Sequence, residues 1–194
     1  MSVRLALLTC VFLSAAAVAD ERPGMRQMSR PGGLLSPPTQ RDLVDARATL
    51  KERFREPLSH ADTSTGALQA AAILLEAATS EVDPALKWLM LDEARELGIS
   101  TGQAVIVNRA VTAASAFYEF DALAIELRSL GDIPLRALDP TRATRLAEAA
   151  ETMASRADAD SRPDVAAAAR RLAVNAWQRS GNLDAARRVQ QQVH

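Results

Sequence analysis

Two pairs of acidic residues are the strongest candidates for proton-transfer chemistry in this 194-residue sequence. Asp92 adjoins Glu93, and Glu148 stands three residues before Glu151. Acid–base catalysis needs carboxyl groups whose pKa values are shifted toward neutrality. On helices such acids more often lie in solvent and pair with arginine, as we expect for Glu148 and Arg145. The sequence therefore predicts no catalytic residue and no enzyme activity.

Metal and cofactor chemistry has little support in the sequence. His60 and His194 are the two histidines, and neither has a cysteine or a second histidine at the spacing of transition-metal ligands. The sequence has no G-x-S-x-G elbow, P-loop or G-x-G-x-x-G fingerprint. We accordingly predict no metal ion and no cofactor.

Recognition of another molecule is the remaining role for the aromatic and arginine side chains, because both commonly anchor interfaces. The segment 118–120 has two aromatics flanking an acid at the end of a predicted helix, where one ring could project into a groove. The structural alternative places Phe54 and Phe117 in the core and uses Trp88 and Trp177 as wedges between helices. The predicted interaction surface, if a groove exists, consists of Trp88, Arg95, Tyr118 and Arg170.

The first 19 residues predict export. Arg4 precedes an uncharged apolar run over residues 5–18, and Ala17-Val18-Ala19 gives a small-x-small pattern before Asp20. This arrangement is typical of a secretory signal cleaved between Ala19 and Asp20, which predicts a periplasmic or extracellular protein. The run is shorter than the roughly 20 apolar residues of a membrane span, so we expect no stable membrane insertion after cleavage. Retention as an anchor is the alternative.

The single cysteine, Cys10, lies inside this apolar run, so cleavage would leave a mature chain without thiols or disulfides. The alternative is a lipoprotein acylated at Cys10, which Thr9 disfavours as a neighbour. Residues 20–38 follow as a leader rich in proline and glycine, with few apolar residues and no period. Such a segment buries too little surface to offset its ordering entropy, so we predict that it is disordered.

Residues 39–192 show helical periodicity almost throughout, and no stretch alternates for long enough to predict a strand. The first two predicted helices span 40–56 and 64–79, with Leu68 and Ala72 on the buried side of the second. Phe117 and Leu183 are also placed inward on later helices. Helix starts are predicted at Thr39, Asp83-Pro84, Asp121, Asp139-Pro140, Ser161 (a capping box with Asp164) and Asn182, and helix ends at Pro57, Gly98, Gly131 and Gly181.

An internal similarity links two parts of this region. Residues 74–78 (LLEAA) match residues 146–150 (LAEAA), 72 positions later, and Ala94, Gly98 and Ala104 loosely parallel Ala176, Gly181 and Ala186. Pairs of helices that repeat in this way stack so that each buries its neighbour's apolar face. The predicted fold is therefore all-α, with antiparallel helical hairpins stacked as a short tetratricopeptide-like solenoid or bundle.

Two segments carry a family resemblance. Residues 83–97 (DPALKWLMLDEAREL) and 120–123 (FDAL) resemble recurring elements of exported, planctomycete-type helical-repeat proteins, with Trp88 in place of a tyrosine and Met90 in place of a leucine. Residues 176–186 resemble the turn of a tetratricopeptide hairpin. The resemblance covers approximately residues 50–190 and implies a tetratricopeptide-like fold and export, and it adds little about function.

Charge is nearly balanced overall but unevenly distributed. After residue 19 the chain has 22 basic and 24 acidic side chains, which gives no strong field toward nucleic acid or anionic lipid. Residues 74–126 have a net charge of −6, and residues 162–194 have a net charge of +4. The sequence thus predicts an exported, non-catalytic scaffold that binds an unknown protein or peptide of the cell envelope. The alternative is a structural envelope protein that self-associates through its acidic middle and basic C-terminal end.

Overall fold

The computed structural model describes residues 33–193, so the predicted signal, its cleavage site and residues 20–32 of the leader lie outside the described residues. Within that range the regular structure is helical, apart from one isolated β-bridge. The all-α fold predicted from the sequence is therefore confirmed. The helices are α1 (Asp42–Arg53), α2 (Arg55–Ser59), α3 (Ser64–Ser80), α4 (Pro84–Ser100), α5 (Ala104–Ser115), α6 (Ala122–Gly131), α7 (Pro140–Ala159), α8 (Pro163–Ser180) and α9 (Leu183–Gln190), with a 3-10 turn at Leu135–Ala137.

Side-chain caps start four of these helices where the sequence predicts them. Asp83, Asp121 and Asp139 each accept a hydrogen bond from a backbone N–H in the first turn of the following helix. Asn182 does the same for α9 through the N–H of Ala185 at 3.1 Å. Each cap satisfies a donor that would otherwise have no partner in the helix, which is worth about 1 kcal/mol.

Two of the four predicted helix ends are wrong. Pro57 does not end the helical segment, because α1 stops at Arg53 and Pro57 lies in the first turn of α2, where its missing N–H costs nothing. Gly98 lies inside α4, and the left-handed turn falls four residues later at Gly102, with φ +68°. Only Gly181, with φ +85°, ends its helix as a left-handed cap.

Ser161 does not form the predicted capping box. Its φ of 57° is left-handed, and its backbone N–H donates to the carbonyl of Asp158 at 3.0 Å. Ser161 therefore belongs to the end of α7 rather than to the start of α8. The N-cap of α8 is Arg162, which makes no side-chain capping bond, and Pro163 supplies the first helical position.

Consecutive helices pack as antiparallel hairpins. The α7–α8 pair has the most extensive contacts, followed by α3–α4 and α4–α5, and each pair is joined by only three residues. Alanines with no exposed surface line these contacts and allow the helices to approach closely. They are Ala70, Ala71, Ala94, Ala143, Ala147, Ala150, Ala157, Ala166, Ala169, Ala173 and Ala176.

The buried residues form two apolar clusters. The N-terminal cluster spans residues 43–118 and the C-terminal cluster spans residues 104–189. Helix α5 belongs to both, because Ala104 and Val107 pack in the C-terminal cluster while Ala110 and Ala114 pack in the N-terminal cluster. One 12-residue helix thus connects the two cores.

The segments that match in sequence also match in burial. In residues 74–78 and in residues 146–150 the first, second and fifth positions are buried, the third is exposed and the fourth is intermediate. Both segments lie within the first helix of a hairpin, α3 before α4 and α7 before α8. The proposed parallel between Gly98 and Gly181 does not hold, because the first is helical and the second is left-handed.

The buried face of α3 is rotated relative to the sequence prediction. The buried side of α3 includes Ala67, Ala71 and Leu75, whereas Ala72 is exposed and Leu68 is only half-buried. Ile73, beside Ala72, is 44% exposed. The outer face of α3 is therefore partly apolar.

The last part of the predicted leader contacts the helical domain. Leu35 forms a parallel β-bridge with Tyr118: its N–H donates to the carbonyl of Phe117 at 2.7 Å, and its carbonyl accepts from the N–H of Glu119 at 2.8 Å. The Leu35 side chain also packs against the N-terminal cluster. Residues 33–38 therefore lie as a strap against the loop between α5 and α6.

Candidate functional site

Three aromatic rings form one cluster beneath this strap. The Trp88 ring lies edge-on to Tyr118, with centroids 5.0 Å apart, and edge-on to Phe120, with centroids 5.5 Å apart. Such T-shaped pairs add about 1 kcal/mol each to the stabilisation from burial. The structure thus brings together two of the four predicted recognition residues, Trp88 and Tyr118.

Tyr118 is a core residue, and its predicted role as an exposed anchor is wrong. Its side chain is 1% exposed, and its hydroxyl donates to the Pro84 carbonyl at 2.5 Å. Burial raises the pKa of Tyr118 to about 12, and the nearby charge of Asp83 contributes in the same direction. The neighbouring Phe117 is the exposed ring instead, at 41%, with the Lys87 ammonium 3.8 Å from its centroid.

Arg95 is also buried, at 8% exposure, and is fully engaged within the fold. Its guanidinium donates to Asp92 and Glu96 on α4 and to the Ser129 hydroxyl on α6, at 2.6–3.2 Å. Burial opposes the charged form, but the two carboxylates outweigh it and raise the pKa of Arg95. This side chain ties α4 to α6 and presents no free donor surface to a partner.

Arg170 pairs with Asp158 across the α7–α8 turn, and 20% of its side chain is exposed. This pair belongs to a different hairpin from the aromatic cluster. The four predicted recognition residues therefore do not act together as one exposed surface. Two of them are buried, and the contacts of Arg170 are accounted for by a pair between helices.

Glu126 was not predicted as a site residue, and it is the fully buried acid of the described residues, with 0% exposure. Its two carboxylate oxygens accept from Asn108 on α5 at 2.7 Å and from Arg156 on α7 at 2.8 Å. The pattern offered a signal, because Glu126 occupies the apolar register of α6 between Leu123 and Leu130. An acid at such a position must find partners inside the fold.

Glu151 has a similar role at the other end of the domain. Its carboxylate accepts from the Trp177 indole N–H at 2.5 Å and from the Arg188 guanidinium at 3.2 Å. Trp177 is 7% exposed and packs in the C-terminal cluster. Glu151 therefore links α7, α8 and α9 rather than serving an acid pair with Glu148.

An open groove lies on the outer side of the α8–α9 pair. It has a volume of about 420 Å³, and its lining contains one charged residue, Arg187, and no carboxylate. Leu183 was predicted to face inward, but it is 55% exposed and opens into this groove, because it is the first residue of α9. We call this surface the α8–α9 groove, lined by Val174, Gln178, Leu183, Ala186, Arg187, Gln190 and Gln191.

Two arginines, Arg187 in the lining and Arg171 on α8, give this surface basic character. Arg171 lies one turn before Val174 on α8, is exposed, and makes no ion pair within residues 33–193. Arg187 contacts Asp184 at 3.3 Å, and both side chains are at least three-quarters exposed. Exposed pairs of this kind are worth at most about 1 kcal/mol, so Arg187 can exchange its partner readily.

Among residues 33–193, no group of three or more histidine, cysteine or acidic side chains is placed to hold a metal ion. The same residues include no helix long and apolar enough to cross a membrane. No protein-family model, curated protein or solved structure matched the chain.

Proposed function

We propose that this protein is a non-catalytic helical scaffold that binds another protein through the α8–α9 groove. The observation that supports this role is the exposed Leu183 in a groove lined by Val174 and Ala186. An apolar anchor inside a polar rim is the usual arrangement of a recognition site. The volume of the groove suits two or three side chains from one face of a helix.

The place of action is part of the same proposal. We infer export to the cell envelope from the signal-like residues 1–19 and from the cleavage pattern before Asp20. A tetratricopeptide-like relationship is likewise an inference from the sequence, supported by the hairpins and by the shared burial of residues 74–78 and 146–150. Proteins of this architecture commonly use their stacked helices as binding surfaces.

Capture from the envelope fraction tests the binding role. We expect the mature protein to recover one stoichiometric partner, and Leu183→Glu to lose it, because the new carboxylate must be desolvated in the groove. Glutamate suits the first turn of α9, so the variant should keep its fold. Val105→Glu is the matched control, since Val105 is 52% exposed in the first turn of α5.

The result has two clear outcomes. Retention of the partner by Val105→Glu together with its loss from Leu183→Glu supports the proposed site. Equal recovery by both variants, with unchanged helical circular dichroism, shows that binding does not use the α8–α9 groove.

A further inference from the structure

A second surface on the same chain complements the α8–α9 groove. The exposed side of α3 carries Ala72 and Ile73, flanked one turn away by Gln69 and Glu76. We call these four residues the α3 ridge. Helix α3 contains no basic residue, and Glu76 makes no ion pair within the part of the chain that the structure describes.

Charge and polarity match between the two surfaces. The ridge combines an apolar projection with one unpaired carboxylate, and the groove combines an apolar recess with Arg187 and the neighbouring Arg171. Glu151 is engaged with Trp177 and Arg188, whereas Asp184 makes only the exposed contact with Arg187, so Arg171 and Arg187 together leave this surface with net positive charge. The groove therefore favours an apolar partner surface that carries an acid.

We propose that the occupant of the α8–α9 groove is the α3 ridge of a second copy of this chain. This inference rests on the proposed function and names the partner for the same site. Ile73 of one molecule packs between Val174 and Leu183 of the next. Glu76 then lies within reach of Arg187, so that charge sets the orientation while apolar contact supplies most of the affinity.

The proposed contact is heterologous, because it joins two different surfaces of the chain. Ridge and groove are different surfaces, so each pairing leaves one free ridge and one free groove, and assembly continues head to tail. Because the contact comprises few residues, it falls in the class of small, weak interfaces. Oligomers should therefore appear progressively with concentration, and added salt should weaken them.

Mass measured by light scattering, from micromolar to millimolar protein, tests this assembly. We expect the average mass of the mature wild-type protein to rise, and Ile73→Glu and Leu183→Glu each to shift the rise to at least tenfold higher concentration. Val105→Glu should behave like wild type. Far-UV circular dichroism and thermal unfolding check that every variant is folded.

Mixing provides the sharper test. Ile73→Glu keeps an intact groove and Leu183→Glu keeps an intact ridge, so an equimolar mixture should form dimers that grow no further. A chain carrying both substitutions should stay monomeric alone. A pair of charge reversals, Glu76→Arg and Arg187→Glu, should each weaken assembly, and their mixture should recover part of it.

Several outcomes would overturn the inference. A wild-type protein that stays monomeric at every concentration excludes the second copy as the occupant, as does assembly that is indifferent to Ile73→Glu. A mixture that fails to form dimers excludes the ridge-to-groove pairing. If one of these results is found and Leu183→Glu still loses capture of the envelope partner, the proposed binding function stands, with a different partner in the groove.

Discussion

Tyr118 is the only tyrosine in the chain, so its ionisation can be followed without interference from another phenol. Burial raises its pKa to about 12, with a further contribution from Asp83. We expect the tyrosinate absorbance of the folded protein to rise with a midpoint at a pH of about 12. The absorbance of the denatured chain should rise with a midpoint at about pH 10. A folded-state midpoint at the denatured value would contradict the burial of this ring.

The same ionisation should limit stability in alkali. The pKa of Tyr118 is higher in the folded state than in the unfolded state. The stabilisation that its buried, protonated hydroxyl provides is therefore complete below about pH 10 and is lost as the pH rises through the folded-state pKa. Tyr118→Phe should lower the free energy of unfolding by about 1 kcal/mol at neutral pH, since it removes the bond to the Pro84 carbonyl. Denaturant titrations should then show a shallower alkaline loss in Tyr118→Phe than in wild type.

The buried pair of Glu126 and Arg156 should respond unequally to loss of either member. Arg156→Met leaves a carboxylate with 0% exposure held by Asn108 alone, which should cost about 3–5 kcal/mol. Glu126→Gln leaves an arginine that is 42% exposed and can turn to solvent, so its cost should be about 1 kcal/mol.

Urea denaturation measures this difference in the free energy of unfolding. The double variant Arg156→Met/Glu126→Gln serves as the control, and it should recover most of the stability lost in Arg156→Met, because the uncompensated buried charge is gone. Equal costs for the two single variants would show that Glu126 is solvated.

Residue-level predictions failed where a side chain meets distant segments. Tyr118 follows the end of α5, so no helical period indicates which way its ring points, and the strap at Leu35 lies 83 positions away in sequence. Arg95 was assigned to the predicted interaction surface because arginine commonly anchors interfaces. Its burial depends on Ser129 of another helix, which no spacing within α4 reveals.

At the scale of elements, the four helix starts with an aspartate or asparagine cap were predictable, whereas two of the four predicted helix ends, Pro57 and Gly98, were wrong. The caps at Asp83 and Asp139 are hydrogen bonds to N–H groups within three residues, so the local sequence contains all the information. The end of α4 depends on tertiary packing instead: Gly98 lies against Val107 of α5, and Gly102 lies under Leu138.

Two helical glycines should respond in opposite ways to alanine. A Cβ at Gly66 would lie 1.8 Å from the His60 carbonyl oxygen, so the backbone must move, and we expect Gly66→Ala to cost about 1–3 kcal/mol. Gly131 ends α6 with no atom within 4 Å of a Cβ, so Gly131→Ala should be neutral or stabilise by up to about 1 kcal/mol. Thermal unfolding of both variants checks the contrast, and a stabilising Gly66→Ala would show that α3 does not pack on the turn at residues 60–63.

At the scale of the whole molecule, the apolar periods predicted stacked helical hairpins but not their division into two cores that share α5. Helix α5 contributes Val107 to one cluster and Ala110 to the other, although both belong to one apolar stripe in the sequence. Polar bonds reinforce that connection, because Asn108 of α5 binds Glu126 of α6, and Arg95 of α4 binds Ser129 of α6. The position of α5 follows from packing on both sides, which a stripe on a single helix does not encode.

This shared helix should make the domain unfold as one unit. A 12-residue helix is marginal on its own, so melting of the N-terminal cluster would remove the packing that holds the second half of α5 and expose Val107. The two tryptophans report on the two cores separately, because Trp88 packs against the N-terminal cluster and Trp177 lies in the C-terminal cluster.

Single-tryptophan variants measure whether the two cores unfold together. Trp88→Phe leaves the indole of Trp177, and Trp177→Phe leaves that of Trp88. In each variant the fluorescence midpoint in urea should coincide with the circular dichroism midpoint, because coincident probes indicate a two-state transition. A Trp88 signal that changes at lower urea than the helical signal of the same variant would mean that the N-terminal core melts alone. In that case α5 and the Asn108–Glu126 bond do not transmit stability between the cores.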